Sequence, residues 1–582
     1  MRRALGLGLT CWIVLLALLP AVAGAHAVLD GTSPGRGAQL ERAPGEVVLR
    51  FDEPVEIAFG AVRVYGQDGG RVDRGSATHP DGRGESVAVA LRDGLGDGTY
   101  TATYRVVSGD SHPIAGGFVF SVGQGGAPPA TVDELIDAAD MGPVTDAGFG
   151  IVRVLSYLAL ALTVGGVAFA LTVWRPLVPH RLEGRWPAAN EAFARRASTL
   201  LLAGVGLGIA TSAAGIVFQG AVAGGTAIWA AIDANVIGDV LETRFGTVWA
   251  ERLLVYLMAG ALLLHRPLRG LLFASDRRGG GEGALGVLAI LLLALCLMPA
   301  LAGHASTFDP GWLLIPASAL HVLCMSIWVG GIAVLLLALP AATSQLEPGQ
   351  RTVLLAGAVS RFSTVALLAV AGLVLGGVVQ AVLELDALPD LTGTAFGRAI
   401  LIKVGLLGGL IALGAWNRQR SRPRLAALAD GGESPGVAGV VLRRSLRAEG
   451  VLMVAVLTVT AALVSYSPAA GAGGPFSASE SLGPARLELT VDPARAGRNS
   501  VHLYLFDRRS GGQFDRTREL TVTARLPSEG IGPLTLEPRK AGPGHYVIRR
   551  ADIAPPGEWR LDVDVRITAF DSFSTRVEVP IK

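Results

Sequence analysis

Apolar and polar positions fall into three regimes along the 582-residue chain. Up to about residue 123 they alternate in short runs, Val47-Val48-Leu49-Arg50-Phe51, Ala61-Val62-Arg63-Val64-Tyr65, Ser86-Val87-Ala88-Val89-Ala90-Leu91, Tyr100-Thr101-Ala102-Thr103-Tyr104-Arg105-Val106 and Gly117-Phe118-Val119-Phe120-Ser121-Val122. Period-two alternation bounded by Gly, Asp and Pro turns predicts half-buried strands, here a small β-sandwich closed by a Gly/Pro-rich stretch at 123–130. Eight long apolar runs follow, at about 148–174, 198–221, 248–264, 284–303, 312–339, 361–383, 398–416 and 449–467. Most reach or approach the roughly 20 residues that a helix needs to cross a bilayer. From 484 to 582 alternation returns, as in Arg486-Leu487-Glu488-Leu489-Thr490-Val491 and Trp559-Arg560-Leu561-Asp562-Val563-Asp564-Val565, and predicts a second β-sandwich.

The fold class is therefore a multi-domain membrane protein: an N-terminal β-sandwich, an eight-helix transmembrane bundle and a C-terminal β-sandwich. The expected divisions are a signal peptide at 1–25, a first domain at 26–123, a linker at 124–147, the membrane domain at 148–467, a linker at 468–483 and the last domain at 484–582. The signal assignment rests on Arg2 and Arg3, the apolar run from Leu5 to Val22, and the small residues Ala23-Gly24-Ala25 ahead of His26.

Charge adds orientation. Loops 175–197, 265–283, 340–360 and 417–448 hold the arginines, Arg195, Arg196, Arg277, Arg278, Arg443 and Arg444 among them, while the opposite loops carry Asp233, Asp239, Glu242, Glu384, Asp386 and Asp390. By the positive-inside rule both β-domains are extracytoplasmic, and the chain is expected as a multi-pass protein of the cytoplasmic (inner) membrane. The lipid bilayer is its solvent over much of its length, and nucleic acid is not expected as a partner. Of three cysteines, Cys11 leaves with the signal, while Cys296 and Cys324 lie in apolar runs, so no disulfide is expected in the exported domains.

Cleavage before His26 frees an α-amine beside the imidazole of the same residue, and the two nitrogens can close one chelate ring. In Ser108-Gly109-Asp110-Ser111-His112-Pro113, Asp110 and His112 stand two residues apart, on one face of an extended backbone. With His26 they make an N,N,N,O set, which favours tetragonal Cu(II) over tetrahedral Zn(II). His79, in Thr-His-Pro-Asp-Gly, is read as an exposed turn residue.

The first domain resembles the CopC copper-binding family in His26-Ala27-Val28-Leu29 with Ser33-Pro34, in Leu49-Arg50-Phe51-Asp52-Glu53-Pro54-Val55, and in Ser108 to Pro113. The resemblance implies a cupredoxin-like Greek-key sandwich that holds Cu(II) through the amine and ring of His26, Asp110 and His112. It places Glu53 near the site and makes Asp110 a direct or an axial donor. Some relatives add a methionine-rich Cu(I) site. The mature domain here has no methionine before Met141, so a single Cu(II) site is expected.

Ionisable and soft groups inside spans are costly and usually face a bundle interior. On the fifth run His321, Cys324, Met325 and Trp328 share one helix face, and His304 ends the preceding run. His304, His321 and Met325 are read as a membrane copper relay, with the metal there as Cu(I), whereas Cys296, Cys324 and Met298 are read as packing. The segment resembles the CopD family in Gly303-His304-Ala305, Leu320-His321-Val322, Trp328-Val329-Gly330-Gly331, Arg361-Phe362-Ser363, Lys403, Asn417-Arg418 and Arg443-Arg444-Ser445-Leu446. That implies copper import, homeostasis or resistance in a fused CopC–CopD arrangement. More weakly, the last domain resembles YtkA-like domains in Gly544-His545-Tyr546 and Pro556-Gly557-Glu558-Trp559; His502 and His545 could contact copper there, with structural roles the preferred reading.

The copper ion is the expected cargo, and a periplasmic or extracellular copper chaperone is a candidate partner. No enzyme activity is expected, because no nucleophile–base pair is placed and no nucleotide-binding P-loop is present. Two other readings stay open: a haem- or quinone-associated membrane redox protein built on His304 and His321, and a passive extracytoplasmic copper buffer.

Overall fold

The computed structural model describes residues 27–581 except 28, 37, 52, 58–60, 81, 83, 110–112, 124–141, 178–183, 274–280, 307–309, 386–389, 467–475, 493 and 510–512. The signal peptide, both linkers in large part, and His26, Asp110 and His112 thus lie outside the described residues. Within the chain, two compact units separate: Gly150–Ser212 with Glu251–Ala470, and His26–Phe149 with Ala213–Ala250 and Gly471–Lys582.

The second unit contains both β-domains. In the first, strands β1 (Leu29–Ser33), β3 (Glu46–Phe51), β7 (Ser86–Leu91) and β6 (Asp73–Thr78) form one sheet in the order β1-β3-β7-β6. Strands β2 (Gln39–Leu40), β9 (Pro113–Val122), β8 (Gly98–Ser108) and β4 (Val55–Glu56) form the other, with β5 (Val62–Tyr65) also pairing β8. Alternation sends Val47, Leu49, Phe51, Val87 and Val89 inward to meet Tyr100, Ala102, Tyr104, Phe118 and Phe120. Gly116 is required there: a Cβ would stand 2.4 Å from the Tyr104 hydroxyl oxygen. The apolar runs located β3, β5, β7, β8 and β9, but the short or polar β1, β2, β4 and β6 carry too little alternation to announce themselves.

The last domain repeats the architecture. Strands β10 (Phe476–Leu482), β11 (Ala485–Asp492), β12 (Gly497–Asp507), β16 (His545–Ile553) and β15 (Arg539–Gly542) form one sheet in that order. Strands β14 (Ile531–Leu536), β13 (Glu519–Leu526), β17 (Gly557–Arg566) and β18 (Ser572–Ile581) form the second. Trp559 is fully buried between them among Leu487, Leu503 and Leu561, and its indole N–H donates to the Pro555 carbonyl at 2.9 Å.

Among the described residues, eight helices are long and apolar enough to span a membrane: α1 (Ala147–Leu177), α2 (Trp186–Gly224), α3 (Arg244–Leu264), α4 (Glu282–Leu301), α5 (Gly311–Thr343), α6 (Pro348–Glu384), α7 (Ala395–Asp430) and α8 (Gly436–Leu463). Several outrun the apolar stretches that reveal them. The 39 residues of α2 extend about 58 Å at 1.5 Å per residue, about twice a hydrocarbon core. Hydropathy marks only the segment suited to lipid, while the helix continues because its internal hydrogen bonds persist in water. Within the first unit α5 is the centre, packed against α1, α4, α6 and α8. Its Gly330 meets Gly165 of α1 so closely that a Cβ on Gly165 would lie 2.1 Å from the Ser326 carbonyl oxygen. Small residues permit such backbone contact between membrane helices.

A buried carboxylate anchors one edge of the first domain. Burial alone would raise the Asp73 carboxyl, but bonds from the Arg71 guanidinium (2.6 and 3.2 Å) and the Val64 N–H (3.0 Å) hold it below the usual carboxylate range. This contribution is present above the unfolded carboxylate pKa of about 3.9 and is lost as pH falls through the lower folded value. Asp73→Asn is expected to cost about 2–3 kcal/mol at pH 7, with the gap from wild type closing toward pH 2, read from the β-domain transition in calorimetry.

Candidate metal sites

Among the described residues no group of three or more His, Cys, Asp or Glu side chains is placed to hold a metal ion, and the candidate ligands fall in three places. The first is one end of the N-terminal sandwich. β1 opens at Leu29, paired with Phe51 at the end of β3, and four residues later Val55 of β4 pairs with Ser108 at the end of β8. Val107 then pairs with Pro113 at the start of β9, so the connection carrying Asp110 and His112 closes at this same end. The beginning of β1, Glu53 and the facing ends of β8 and β9 therefore lie at one end of the sandwich, while His26, Asp110 and His112 lie outside the described residues. Glu53 is half-buried there.

At the same end Glu56 reaches α3: its carboxylate accepts the backbone N–H of Arg244, the first residue of that helix, at 2.5 Å. A carboxylate at a helix N-terminus satisfies an orphan donor and meets the positive end of the macrodipole. Burial raises the Glu56 carboxyl, and the Arg244 N–H and charge pull in the other direction. Nothing in the local sequence around Glu56 announced this contact, because its partner is 188 residues away.

The second place is the face of α5. His321 Nδ1 lies 2.8 Å from the Leu373 carbonyl oxygen of α6. A carbonyl can only accept, so Nδ1 carries the proton and Nε2 keeps its lone pair. Two glycines make the room: a Cβ on Gly376 would lie 2.5 Å from the Ala317 carbonyl oxygen and 3.1 Å from His321 Cβ, and one on Gly377 would lie 3.1 Å from the His321 ring. Met325 follows one turn along α5 and is half-buried, whereas Cys296 and Cys324 are free, buried thiols. Lys403 of α7 stands within electrostatic reach of His321 and of Glu384 at the end of α6. His304 opens a short 3-10 turn, His304–Ser306, and its side chain lies outside the described set.

The third place is the last domain. His502 on β12 and His545 on β16 stand with Nδ1 and Nε2 3.3 Å apart and rings nearly parallel, at 11°. The Tyr504 ring stacks on His545 at 4.4 Å. Burial, reinforced by the Arg36 charge, pushes the His502 imidazole down to about 4. His79, expected to be exposed, is half-buried instead and donates Nδ1–H to the Ser86 carbonyl at 2.8 Å.

Three family models match the chain in succession: the CopC domain over residues 29–123, the copper resistance protein D-like N-terminal domain over 144–315, and copper resistance protein D over 356–463. Protein YobA of Escherichia coli (strain K12) is 35% identical over 98 residues, covering 17% of this chain and 79% of YobA. The copper transport protein CutJ of Bacillus subtilis (strain 168) is 28% identical over 564 residues, covering 95% of this chain and 96% of CutJ. The chain belongs to the CopC–CopD family. A crystal structure of CopC from Methylosinus trichosporium OB3b aligns with 27% identity over 17% of this chain and 93% of that one, at a TM-score of 0.16.

Membership makes this a multi-pass membrane protein of the copper transport and resistance families, and copper is the ion that CopC domains bind. Several of the motifs that carry the CopD likeness meet in the bundle. Gly331 lies under Phe362, where a Cβ would stand 2.1 Å from the ring. Arg418 donates to Ser363 Oγ at 3.0 Å. Asn417 donates to Glu449 Oε1 at 2.5 Å and accepts from Ser421 Oγ at 3.0 Å. These contacts are packing and polar satisfaction, which is why the motifs identify the fold more sharply than they identify a transport path.

The glycine cleft around His321 has a direct test. Gly376→Ala is expected to destabilise the purified protein in detergent by about 1–3 kcal/mol through overpacking. Gly405→Ala, at a position with nothing within 4 Å, is expected to be neutral or slightly stabilising. The thermal midpoints of the two variants against wild type check this.

Proposed function

We propose that the chain captures Cu(II) outside the cytoplasmic membrane and passes copper to or through its membrane domain. In this reading the amine and ring of His26, with Asp110 and His112, ligate Cu(II), and Glu53 stands beside them. His321 Nε2, with Met325 and His304, takes copper into the bundle, as Cu(I) after a one-electron donor from outside this chain has reduced it. Both β-domains are extracytoplasmic, the last one YtkA-like, and a copper chaperone on that side delivers the metal. No catalytic step is part of the proposal.

The observation that carries the reading is the bond between Glu56 and the first N–H of α3. It ties the end of the first domain to which this reading assigns the copper ligands to the beginning of a membrane-length helix. Support inside the bundle comes from the His321–Leu373 bond, which orients the ring and leaves one nitrogen as a donor.

The chelate of His26 exists only after signal cleavage, so one added residue ahead of His26 removes it. That variant is expected to lose Cu(II) affinity at least about 100-fold, from the loss of a ligand rather than of an outer-shell partner, and to show an altered Cu(II) EPR spectrum. Wild-type affinity should fall as pH drops, since amine and imidazole must both shed protons to bind. An unchanged affinity in the extended protein would falsify the assignment. For the membrane step, His321→Ala is expected to abolish protein-dependent copper accumulation in cells while leaving the EPR signal intact. A Soret band in the purified protein would instead point to haem on the membrane histidines.

A further inference from the structure

The His502–His545 pair lies on the face of the β10–β11–β12–β16–β15 sheet turned away from the domain's own core. Along β12, Val501, Leu503 and Leu505 point inward, so His502 and Tyr504 point the other way. On β16, Tyr546 and Ile548 are core residues, so His545 shares the face of His502. Register places His502 opposite Val547 and Tyr504 opposite His545, which sets the two imidazoles on diagonal positions of adjacent strands. A buried cleft beside them is lined by Tyr504, Gly544 and His545 from the last domain and by Gln39, Thr99 and Ser121 from the first.

Two imidazoles directed at each other on a covered face form a donor pair. Two nitrogens each about 2.0–2.1 Å from one ion at a tetrahedral angle stand roughly 3.3–3.4 Å apart, whereas cis donors of a square-planar ion at about the same bond length stand roughly 2.9 Å apart. The observed separation is 3.3 Å. We propose that His502 Nδ1 and His545 Nε2 form a second metal site, for Cu(I), a closed-shell ion without the tetragonal preference of Cu(II). It rests on the copper reading for the identity of the ion.

Binding replaces the hydrogen bond between the rings. Each imidazole is neutral and keeps one N–H, and the ring that was the donor moves its proton to its other nitrogen, so the lone pairs of Nδ1 and Nε2 both face the metal and no net proton is released. A rotation of each ring by roughly 35°, set by bonds of about 2.0–2.1 Å over the 3.3 Å separation, brings those lone pairs to a common point beside the line joining them. Tyr504, stacked on His545, limits how far that ring turns. Glu488, opposite Tyr504 in the β11–β12 register, is ion-paired with Arg486 at 3.1 Å. Water or a donor from an arriving molecule completes the shell.

The site is separate from the predicted Cu(II) end. Thr99 and Ser121 pair near the beginning of β8, nine residues before Ser108, which is roughly 30 Å along an extended strand. The exported part of the chain then holds two stations of different geometry, one suited to Cu(II) and one to Cu(I).

The test uses the full-length, metal-free protein in detergent, titrated anaerobically with Cu(I) against a chromophoric Cu(I) chelator. His502→Phe with His545→Phe is expected to bind one equivalent fewer than wild type, with the Cu(II) EPR signal of the first domain unchanged. An unchanged Cu(I) count overturns the proposal. Loss of a Zn(II) equivalent instead, in a parallel titration with Zn(II) alone, overturns the choice of ion. Should the doubly substituted protein fail to fold, His502→Gln carries the same test, because its amide can keep a hydrogen bond to His545. The two readings separate cleanly: absence of Cu(II) binding in wild type contradicts the first-domain site, whereas the Cu(I) difference between wild type and variant reports on this pair alone.

Discussion

A histidine inside a membrane helix needs a hydrogen-bond partner, because lipid offers none. His321 finds one in the Leu373 carbonyl, and it does so only because Gly376 and Gly377 let α6 approach the α5 backbone. The same logic holds on the other side of α5, where Gly330 lies against Gly165 of α1. Without hydrophobic attraction between helices in lipid, such close contacts and interhelical polar bonds supply the cohesion. The Asn417–Glu449–Ser421 network between α7 and α8 is a second instance. The packing that stabilises the bundle and the orientation of its central imidazole are thus one arrangement, and replacing a glycine there disturbs both.

The two β-domains are organised by a different constraint. Two sandwiches without disulfides rely on alternating strands to bury Val, Leu, Phe and Trp. Their polar faces and ends remain for chemistry. In the first domain the ends of β3 and β8 and the starts of β1 and β4 lie together, and Glu56 at that end accepts the first N–H of α3. The proposed copper site and the connection to a membrane-length helix would then share one end of a single domain.

Much of this architecture is legible in the residues, for physical reasons that differ by regime. Period-two runs locate β3, β5, β7, β8 and β9, and apolar length locates all eight spans, because burial in a core or in lipid selects composition directly. Contacts between distant segments are not legible that way. Glu56 and Arg244 look like ordinary charged residues until the fold brings a carboxylate to a helix N-terminus. His502 and His545 look like isolated strand residues, since only the β12–β16 register, shifted between Asn499 and Val501, puts them on neighbouring positions. His79 looks like a turn residue and is tied to β7 through Ser86. Periodicity shows which face a side chain occupies, but not which partner occupies the next strand.

A soluble domain that binds copper and a membrane bundle that merely anchors it would account for the family match equally well, so the decisive quantity is movement of the ion. The most direct measurement is radioactive copper flux across sealed vesicles containing the full chain. The account predicts protein-dependent flux that disappears when residues 26–123 are removed from an otherwise folded membrane domain. Copper bound at the vesicle surface by the intact protein, with no flux above empty vesicles, would contradict it.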